Sequence, residues 1–386
     1  MRICMVTPHL PPDLAANALL PQLLGDGLVA RGHQVSFVAF RPRHGEPGSR
    51  SGQSGQAGQS DVFYIDRPAT QGWSKTLKLS QLWTAAEVFF KARKPISRAD
   101  VVHVHSNTFM NQVSAALASR RGRPFILTHY GTEIWHFRRK HPVDPFLWMN
   151  QRAAHVTYYS RRLLERSIEL GVAPAKRSVV YPPVDRAFRV VEVEDREKKR
   201  RELGADSGPL ILNVKRLHPL AGQRYMIEAM PEILQKCSSV KLWIAGEGES
   251  RAELETLIAA KELARAVKLL GQVDNQELAA YYTAADVFVL PSVLEAFPTV
   301  AAESLASGTP VVSAEHPGGT ELKELFPDDV QLVPLRDPAA LAREVLAAIS
   351  APRRCTAETL RHIEERFRPE AALETYLSLY KEAAGG

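Results

Sequence analysis

The sequence predicts an α/β protein made of two doubly wound domains, each built on a parallel sheet. A chain of 386 residues has the length of two domains of ordinary size, each able to bury its own core. Strand-like and helix-like runs alternate from end to end, as expected for parallel sheets with helices on both faces. No internal repeat favours another architecture.

The segment at residues 285–313 is the most informative part of the chain. The apolar run Ala285–Leu290 predicts a strand, and Thr309–Ser313 predicts the next one. Between them, Pro298 suits the first turn of a short helix, and Gly308 suits the left-handed position after its last turn. The loop before this helix is therefore expected at the carboxyl end of a parallel strand, where open α/β sheets hold their ligands.

Two glutamates stand eight positions apart in this segment. Glu295 precedes the helix, and Glu303 lies about a turn and a half inside it. The N–H groups of Phe297 to Ala301 are expected to be largely free of intrahelical partners, so they form a site for anions or hydroxyls at the positive end of the helix dipole. Two carboxylates that flank such a site suit a ligand with two polyol units around a phosphate. The alternative is that both glutamates are solvated surface residues.

Residues 291–310 resemble the donor-sugar motif of the retaining glycosyltransferases of family 4. The likeness runs over nearly the whole chain, and the other matching segments are Met1–Thr7, Leu28–Val38, Asp100–Ser106, Leu127–Thr132, Val180–Asp185, Ile211–Ala229, Leu242–Gly248, Gly271–Val273 and Gly318–Glu321. The resemblance implies the GT-B fold, in which two Rossmann-like domains face each other across a cleft.

The boundary between the two domains is expected near Pro182–Asp185. We predict an N-terminal, acceptor-side domain at residues 1–184 and a C-terminal, nucleotide-sugar-binding domain at residues 185–368. In the resembled fold a last helix returns to the first domain, which places residues 369–384 there.

The resemblance also implies roles for individual residues. Glu303 matches the carboxylate that holds the nucleotide ribose, and Glu295 matches the group that orients the donor sugar and its phosphate. Arg216 matches a cation on the diphosphate, where a guanidinium neutralises charge as the leaving group departs. His129 matches a histidine that faces the donor sugar from the first domain; the alternative is a strand-end residue that satisfies a backbone carbonyl. The catalytic assignments are His129, Arg216 and Glu295, and the donor-binding assignments are Glu303, Lys215, Ala296, Phe297, Pro298, Thr299, Gly271, Val273, Ala16 and Asn17.

The diphosphate clamp departs from the family pattern. Ala221 stands where the family usually has a lysine that pairs with the arginine, so half of the clamp is missing. Lys215 occupies a place usually held by glycine, while His218 and Arg224 are close in sequence, and any of the three is a candidate for the missing cation.

The family's glycine pair near the start of the chain is also replaced. Ala15 and Ala16, followed by Asn17, stand at these positions. A glycine pair lets the backbone approach a phosphate closely and adopt positive φ, and alanines narrow that freedom. The donor pyrophosphate is therefore expected to sit differently from its place in the family.

The expected activity is transfer of a sugar, with retention at the anomeric carbon, from a nucleotide-diphosphate sugar to a hydroxyl of a glycan, glycolipid or small-molecule glycoside. No Asp-x-Asp motif lies in a suitable loop, so neither a divalent metal nor another cofactor is expected. His103 and His105 lie on one face of a strand without a third ligand nearby in sequence, which favours a structural role. Two other interpretations stay open: a GT-B nucleotide-sugar epimerase, and a non-catalytic nucleotide-sugar-binding protein.

The net charge of +6 is accompanied by basic clusters in the first half of the chain. Residues 76–94 interleave aromatic and basic side chains in an amphipathic pattern. This pattern suits an anionic membrane surface or a lipid-linked acceptor, and it equally suits a domain helix with one core face and one solvated face. No nucleic-acid-binding module accompanies the basic clusters, so no nucleic-acid partner is expected.

Three features of the sequence bear on the cellular location. No apolar stretch reaches the ~18 residues of a membrane span. The amino terminus enters directly into a predicted strand, which argues against a signal peptide. Cys4, Cys237 and Cys355 are scattered and odd in number, as is typical of reduced thiols. A cytoplasmic protein is therefore expected, with peripheral contact at the inner face of the cell membrane as an alternative. The polar, low-complexity segment 45–60 is expected to be a mobile loop.

Overall fold

The computed structural model describes residues 1–11, 13, 16–42, 60–67, 79–139, 144–205 and 208–385. The chain divides into two compact units. The first comprises Met1–Pro182 together with Pro369–Gly386, and the second comprises Pro183–Arg368. The expected boundary followed residue 184, so the one in the structure lies two residues earlier. The low-complexity segment 45–60 lies outside the described residues except for Ser60.

The first unit is built on a parallel sheet. Its seven described strands are β1 (Arg2–Thr7), β2 (Gln34–Phe40), β3 (Asp61–Ile65), β4 (Val101–His105), β5 (Phe125–His129), β6 (His155–Tyr158) and β7 (Arg177–Val179). They lie in the order β3-β2-β1-β4-β5-β6-β7, and every adjacent pair is parallel. The winding direction reverses between β1 and β4, so this sheet is doubly wound, as predicted. Every residue of β4 and β5 is buried, as expected for central strands with both faces covered.

Helices cover the first sheet. In this part of the chain, the described helices before the unit boundary are α1 (Ala16–Ala30), α2 (Leu79–Glu87), α3 (Arg93–Arg98), α4 (Phe109–Arg120), α5 (Thr132–Trp135), α6 (Pro145–Arg152) and α7 (Arg161–Glu169), with a π-helical turn at Val88–Ala92 between α2 and α3. Several begin on a side chain that caps the first turn. Ser160, for example, accepts a hydrogen bond from the Leu163 N–H at 3.1 Å and so starts α7.

The second unit repeats the same plan. Its strands are β8 (Leu210–Val214), β9 (Lys241–Ala245), β10 (Val267–Gly271), β11 (Val287–Leu290), β12 (Val311–Ala314) and β13 (Val330–Val333). Their order is β10-β9-β8-β11-β12-β13, again with parallel neighbours throughout. The switch point of this sheet therefore lies between β8 and β11. Both predicted strands of the segment 285–313 are present, as β11 and β12.

Eight helices of the described chain surround the second sheet. They are α8 (Val193–Leu203), α9 (Gln223–Lys236), α10 (Arg251–Ala260), α11 (Asn275–Ala284), α12 (Thr299–Ala306), α13 (Pro317–Leu325), α14 (Pro338–Ser350) and α15 (Ala357–Arg366), and a short 3₁₀ turn spans Pro219–Ala221. The predicted helix between the two glutamates is α12. Pro298 stands at its N-cap rather than inside its first turn, and Gly308 follows its end with φ 79°.

The last helix, α16 (Pro369–Gly385), belongs to the first unit. Two of its tyrosines reach the sheet. The Tyr380 hydroxyl lies 2.6 Å from His103 Nδ1, and the Tyr376 hydroxyl lies 3.2 Å from Thr128 Oγ1. His103 Nε2 is also 2.7 Å from Thr128 Oγ1, so both of its ring nitrogens have hydrogen-bond partners inside the first unit.

His105 lies beside His103 at the end of β4. Its Nδ1 is 2.9 Å from the Tyr130 hydroxyl, and the centroids of the two histidine rings are 3.9 Å apart. Burial lowers the pKa of His105 to about 3, and it lowers the pKa of His103 as well. Both rings are therefore neutral, and their contacts fit the structural role expected from the sequence.

Within the described ranges, no helix combines the length and apolarity that crossing a membrane requires. Cys4, Cys237 and Cys355 are all free, and burial raises the pKa of the Cys4 and Cys355 thiols.

Candidate functional site at the switch point of the second sheet

Two predicted site residues meet at the switch point between β8 and β11. Because these strands are adjacent and parallel, the residues that follow them emerge at the same edge of the sheet. Lys215 directly follows β8, and Glu295 lies in the loop that follows β11. The Lys215 Nζ is 2.7 Å from Glu295 Oε1, with the side chains 27% and 14% exposed. Glu295 is therefore a paired, mostly buried carboxylate and not a solvated surface residue.

The N-terminal turn of α12 offers fewer open donors than the sequence suggested. The Thr299 N–H donates to the Phe297 carbonyl at 3.1 Å, and the Ala301 N–H donates to the Pro298 carbonyl at 3.0 Å. The prediction that the N–H groups from Phe297 to Ala301 are largely free is therefore wrong for two of them. The cause is the tight turn at Pro298, because the carbonyls of Phe297 and Pro298 accept short-range hydrogen bonds at the start of α12.

The loop at Glu295 is held from the side by α13. The Gly318 N–H donates to the Glu295 carbonyl at 3.1 Å. A Cβ atom at position 318 would stand 3.0 Å from the same carbonyl oxygen and 3.0 Å from Pro298 Cδ, so only glycine packs here without displacement. Phe297 is buried, and its ring stacks on Phe367 at 5.6 Å. These contacts fix the backbone from Ala296 to Thr299.

His316 is a site residue that the sequence analysis missed. Its Nδ1 accepts a hydrogen bond of 2.9 Å from the Gly319 N–H and so caps α13. Burial lowers its pKa to about 4, while the nearby charges of Glu295 and Lys215 act in opposite directions. The neutral ring therefore carries its proton on Nε2. A signal was available, since His316 is followed by Pro317 after a strand, which is typical of a helix start.

Glu303 is supported by Tyr282 of α11. The Tyr282 hydroxyl donates to Glu303 Oε2 at 3.0 Å, and its buried ring packs against Phe188 and Phe288 with centroids 5.6 and 5.5 Å away. Removal from water raises the pKa of Glu303 to about 7, and Asp185 adds to this effect. The Tyr282 hydrogen bond and the Lys215 charge oppose it. No motif or spacing in the sequence predicted that Tyr282 contacts Glu303.

The raised pKa of Glu303 has a defined consequence for stability. The ordinary value is 4.5, so the folded protein holds this proton more tightly than the unfolded chain does. The stabilisation is complete below about pH 4.5 and is lost as the pH rises through about 7. At neutral pH a partly ionised Glu303 therefore costs folding free energy. A ligand whose hydroxyls donate to the carboxylate offsets that cost.

Arg216 is the second cation beside the switch point. Its side chain is exposed, and within the described part of the chain its guanidinium forms no ion pair or hydrogen bond. Its backbone is fixed, because the Gln223 amide donates to the Arg216 carbonyl at 3.2 Å. Arg216 therefore combines a fixed backbone with an exposed positive charge.

The structure separates the three candidates for the missing cation. His218 Nδ1 accepts from the Leu220 N–H at 3.1 Å, and its Nε2 lies 3.5 Å from Glu249. Arg224 lies 3.2 Å from Glu228 and 3.5 Å from Glu253. Lys215 is the candidate that contacts Glu295.

Ala221 lies next to this region in the 3₁₀ turn. It is buried, with 4% of its surface exposed. The following Gly222 has φ 71°, and a Cβ there would overlap the Pro291 carbonyl oxygen. The turn therefore packs directly on the start of the loop that carries Glu295.

Gly271 ends the edge strand β10, and Val273 lies in the loop that follows it. The Gly246 N–H, just after β9, donates to the Gly271 carbonyl at 2.7 Å. A Cβ on Gly246 would overlap the Lys215 carbonyl oxygen, so the backbones at 246 and 215 touch. Gly271 is thereby connected through Gly246 to Lys215, while Val273 lies half-buried in the loop beyond.

His129 lies in the first unit, at the end of β5, and is completely buried. Its Nε2 is 2.8 Å from Asn150 Oδ1, its Nδ1 is 3.4 Å from Glu133 Oε1, and the rings of Phe146 and Tyr158 lie beside it. Both ring nitrogens thus have partners inside the first unit, and the assignment of His129 to the donor sugar stays a prediction. The partners of the ring are side chains, so the expected bond to a backbone carbonyl is also not observed.

Ala16 and Asn17 begin α1 in the first unit. Both have helical backbone, which alanine adopts without strain, so positive φ is not required at these positions. The effect of the alanine pair on the position of the donor pyrophosphate stays a prediction, and Ala15 lies outside the described residues.

In the described ranges, no three or more His, Cys, Asp and Glu side chains are grouped so as to hold a metal ion.

Two doubly wound units, with a last helix that belongs to the first, are the architecture of the GT-B fold. The family model described as Glycosyltransferase Family 4 matches residues 22–188, and that described as Glycosyl transferases group 1 matches residues 195–367. An uncharacterized glycosyltransferase of Methanocaldococcus jannaschii is 30% identical over 340 residues, which cover 83% of this chain and 82% of that protein. The chain therefore belongs to glycosyltransferase family 4.

Other similar proteins are consistent with this family. The 2-deoxystreptamine glucosyltransferase of Streptomyces kanamyceticus is 30% identical over 253 residues, covering 61% of this chain and 65% of that enzyme. Among solved structures, sucrose-phosphate synthase of Thermosynechococcus elongatus has a TM-score of 0.77 at 20% identity, with 98% of each chain covered. HepE of Anabaena, in complex with UDP, has a TM-score of 0.75 at 18% identity, with 99% of this chain and 100% of that chain covered. At these identities the two structures show the fold alone.

Proposed function

We propose that the protein transfers a sugar from a nucleotide-diphosphate sugar to a hydroxyl acceptor, with retention at the anomeric carbon and without a divalent metal. The observation that carries this proposal is the contact of Lys215 with Glu295 at the switch point of the second sheet, with the exposed Arg216 as the next residue of the chain. Two cations beside a carboxylate suit a ligand that combines a diphosphate with a polyol. Names of similar proteins, which include a glucosyltransferase and a complex with UDP, support the same ligand class.

Each residue has a distinct role in the proposed donor complex. Glu303 accepts hydrogen bonds from the ribose hydroxyls, and Tyr282 holds its carboxylate in place. Glu295 and the fixed backbone from Ala296 to Thr299 orient the sugar. Lys215 leaves Glu295 to bind a phosphate oxygen, while Arg216 binds the diphosphate from its anchored backbone.

The proposed reaction needs no covalent nucleophile. The bond between the anomeric carbon and the diphosphate oxygen breaks, and the acceptor oxygen bonds to that carbon on the same face. The acceptor proton passes to an oxygen of the departing diphosphate. Negative charge grows on the leaving group, so the fixed positive charges of Lys215 and Arg216 stabilise the transition state more than the ground state. Supply of both charges by side chains supports a metal-independent reaction.

The acceptor is proposed only as a class. A hydroxyl of a glycan, a glycolipid or a small-molecule glycoside fits the reaction, and the described contacts do not favour one of them.

The test is incubation of the purified protein with a panel of UDP-, GDP- and ADP-sugars, with and without a chelator, and with cell extract as the source of acceptors. We expect slow release of nucleoside diphosphate from one donor, transfer when the acceptor is present, and an unchanged anomeric configuration by NMR. Tight donor binding without any turnover would instead support a non-catalytic binding protein, and interconversion of the donor sugar would support an epimerase. An inverted product contradicts retention, and inhibition by the chelator contradicts metal independence.

A further inference from the structure

The amphipathic segment predicted at residues 76–94 has two distinct apolar sides. From residue 79 onward it is described as one helical stretch, formed by α2, the π-helical turn Val88–Ala92 and α3. Thr84, Val88, Ala92 and Ile96 follow one another at intervals of four and are all buried in the first unit. Residues spaced by four drift around an α-helix, which has 3.6 residues per turn. The π-turn has more residues per turn and offsets this drift, so the buried residues stay on one side of the helix axis. The expectation of a domain helix with a core face is thus met by this row.

The opposite side of the same stretch exposes four large apolar side chains, which we call the exposed apolar face: Leu82, Trp83, Phe89 and Phe90. They are 67%, 53%, 46% and 71% exposed. Elsewhere in the described chain, the large apolar residues that reach this level of exposure are scattered, as on most protein surfaces. A cluster of four within nine positions is different, because burying it requires a partner.

Cations continue this face toward its carboxyl end. Arg93 and Lys94 are exposed, and the Arg93 guanidinium lies 5.8 Å from the centre of the Phe89 ring. Lys91, by contrast, is already neutralised by Asp66 at 2.7 Å and by Glu87. The exposed apolar face therefore ends in two cations that have no carboxylate partner among the described residues.

The whole first unit is basic, whereas the second is acidic. The first unit has 25 Lys and Arg against 14 Asp and Glu, a net charge of +11, and the second has 24 against 29, a net charge of −5. Such an asymmetry between the halves of a chain is typical of proteins that contact an anionic surface.

We propose that this face docks the protein on an anionic lipid bilayer. Leu82, Trp83, Phe89 and Phe90 enter the boundary between headgroups and acyl chains, and Arg93 and Lys94 bind lipid phosphates through snorkelling side chains. The ring of Trp83 is suited to this depth because it is amphipathic, and Phe and Leu are typical of the apolar side of interfacial helices. A second copy of the chain is a poorer occupant, because a symmetric contact would bring two Arg93–Lys94 pairs and two strongly positive units together. The membrane contact is independent of the transferase reaction, since none of these residues belongs to the donor site.

The test is co-sedimentation of the full chain with vesicles of phosphatidylcholine alone or of phosphatidylcholine mixed with phosphatidylglycerol. We expect binding to the mixed vesicles, loss of binding at high salt, and little binding to phosphatidylcholine. Phe90→Ser is expected to lower the partition coefficient at least about tenfold. The double variant Arg93→Gln/Lys94→Gln is expected to lose the preference for the anionic vesicles.

The matched control is Ile168→Ser, which removes an apolar residue of α7 in the same unit that is 49% exposed. Its binding should equal that of the wild type, and the thermal unfolding midpoints of all variants should agree because the changed residues are exposed. Absence of wild-type binding to the mixed vesicles overturns the proposal, as does an Ile168→Ser variant that binds as poorly as Phe90→Ser. A wild-type dimer that Phe90→Ser dissociates, measured by light scattering, would assign the face to a contact between copies instead.

Discussion

Replacement of Lys215 by Met tests the proposed diphosphate clamp most directly, because Met keeps the apolar stem of the side chain and removes the charge. In the structure Lys215 pairs with Glu295 at 2.7 Å, and the two side chains are 27% and 14% exposed. A partly exposed pair of this kind contributes about 1 kcal/mol or less to stability. We therefore expect Lys215→Met to fold and to lose little stability.

The effect on ligand binding is expected to be larger. A hydrogen bond between a charged donor and a charged acceptor contributes about 1.5–3 kcal/mol. Lys215 must leave Glu295 to reach a phosphate oxygen, so its net contribution is the difference between the two contacts, about 1–2 kcal/mol. This corresponds to a rise of about 5- to 30-fold in the Kd of the nucleoside diphosphate.

Isothermal titration calorimetry measures this effect. The ligand is whichever of UDP, GDP and ADP the wild type binds best, together with its monophosphate. Lys215→Met should weaken diphosphate binding more than monophosphate binding, whereas the control Lys261→Met, an exposed lysine at the end of α10, should change neither. Adding Ala221→Lys to Lys215→Met is expected to recover affinity, because the 3₁₀ turn packs on the loop that carries Glu295. Unchanged diphosphate affinity in Lys215→Met refutes the clamp, while absence of nucleotide binding in the wild type refutes the proposed function itself.

Further predictions concern the rest of the donor site. Glu303→Ala should weaken nucleotide binding more than Glu295→Ala, and unchanged affinities in both contradict the assigned roles. Affinity of the wild type for a nucleotide sugar should increase as the pH rises through about 7, where Glu303 loses its proton, and Glu303→Gln should bind weakly with a flat pH profile. Tyr282→Phe removes a hydrogen bond that lowers this pKa, so the midpoint of the same profile should move to higher pH; a profile that does not move contradicts the positioning role. Gly222→Ala should destabilise the fold by more than about 1 kcal/mol in thermal unfolding, and more than Gly204→Ala, whose φ is also positive but whose Cβ would meet no atom within 4 Å.

The fold was predictable because its signals are local. The strand β11, the helix α12 and the strand β12 are marked by an apolar run, a proline, a glycine and a second apolar run, all within about thirty residues. Each signal reports the backbone preference of a few neighbouring residues. The error of one position at Pro298 has the same origin, since a local signal locates the end of a helix only to within one or two residues.

The partners inside the site were not predictable in the same way. Lys215 and Glu295 are 80 positions apart, and only the order of the second sheet, with β8 next to β11, brings them together. Tyr282 approaches Glu303 from a different helix, at a spacing that no motif records. The glutamates could be recognised from their own segment, whereas their supporting residues depend on tertiary packing.

The Lys215–Glu295 pair admits two interpretations that make opposite predictions. If the pair is structural, the two charges neutralise each other permanently, and Lys215→Met should lower stability while leaving diphosphate affinity unchanged. If Lys215 replaces the cation that Ala221 cannot supply, the charge is needed only when a phosphate competes for it, and affinity should fall while stability changes little. The surroundings favour the second interpretation. The backbone of Glu295 is held by the Gly318 N–H, so its position does not depend on Lys215. The nearby His316 ring is neutral, and the charge of Arg216, next to Lys215 in sequence, is uncompensated among the described residues. A phosphate that binds there meets two positive charges and one carboxylate, and it leaves that carboxylate available to the sugar.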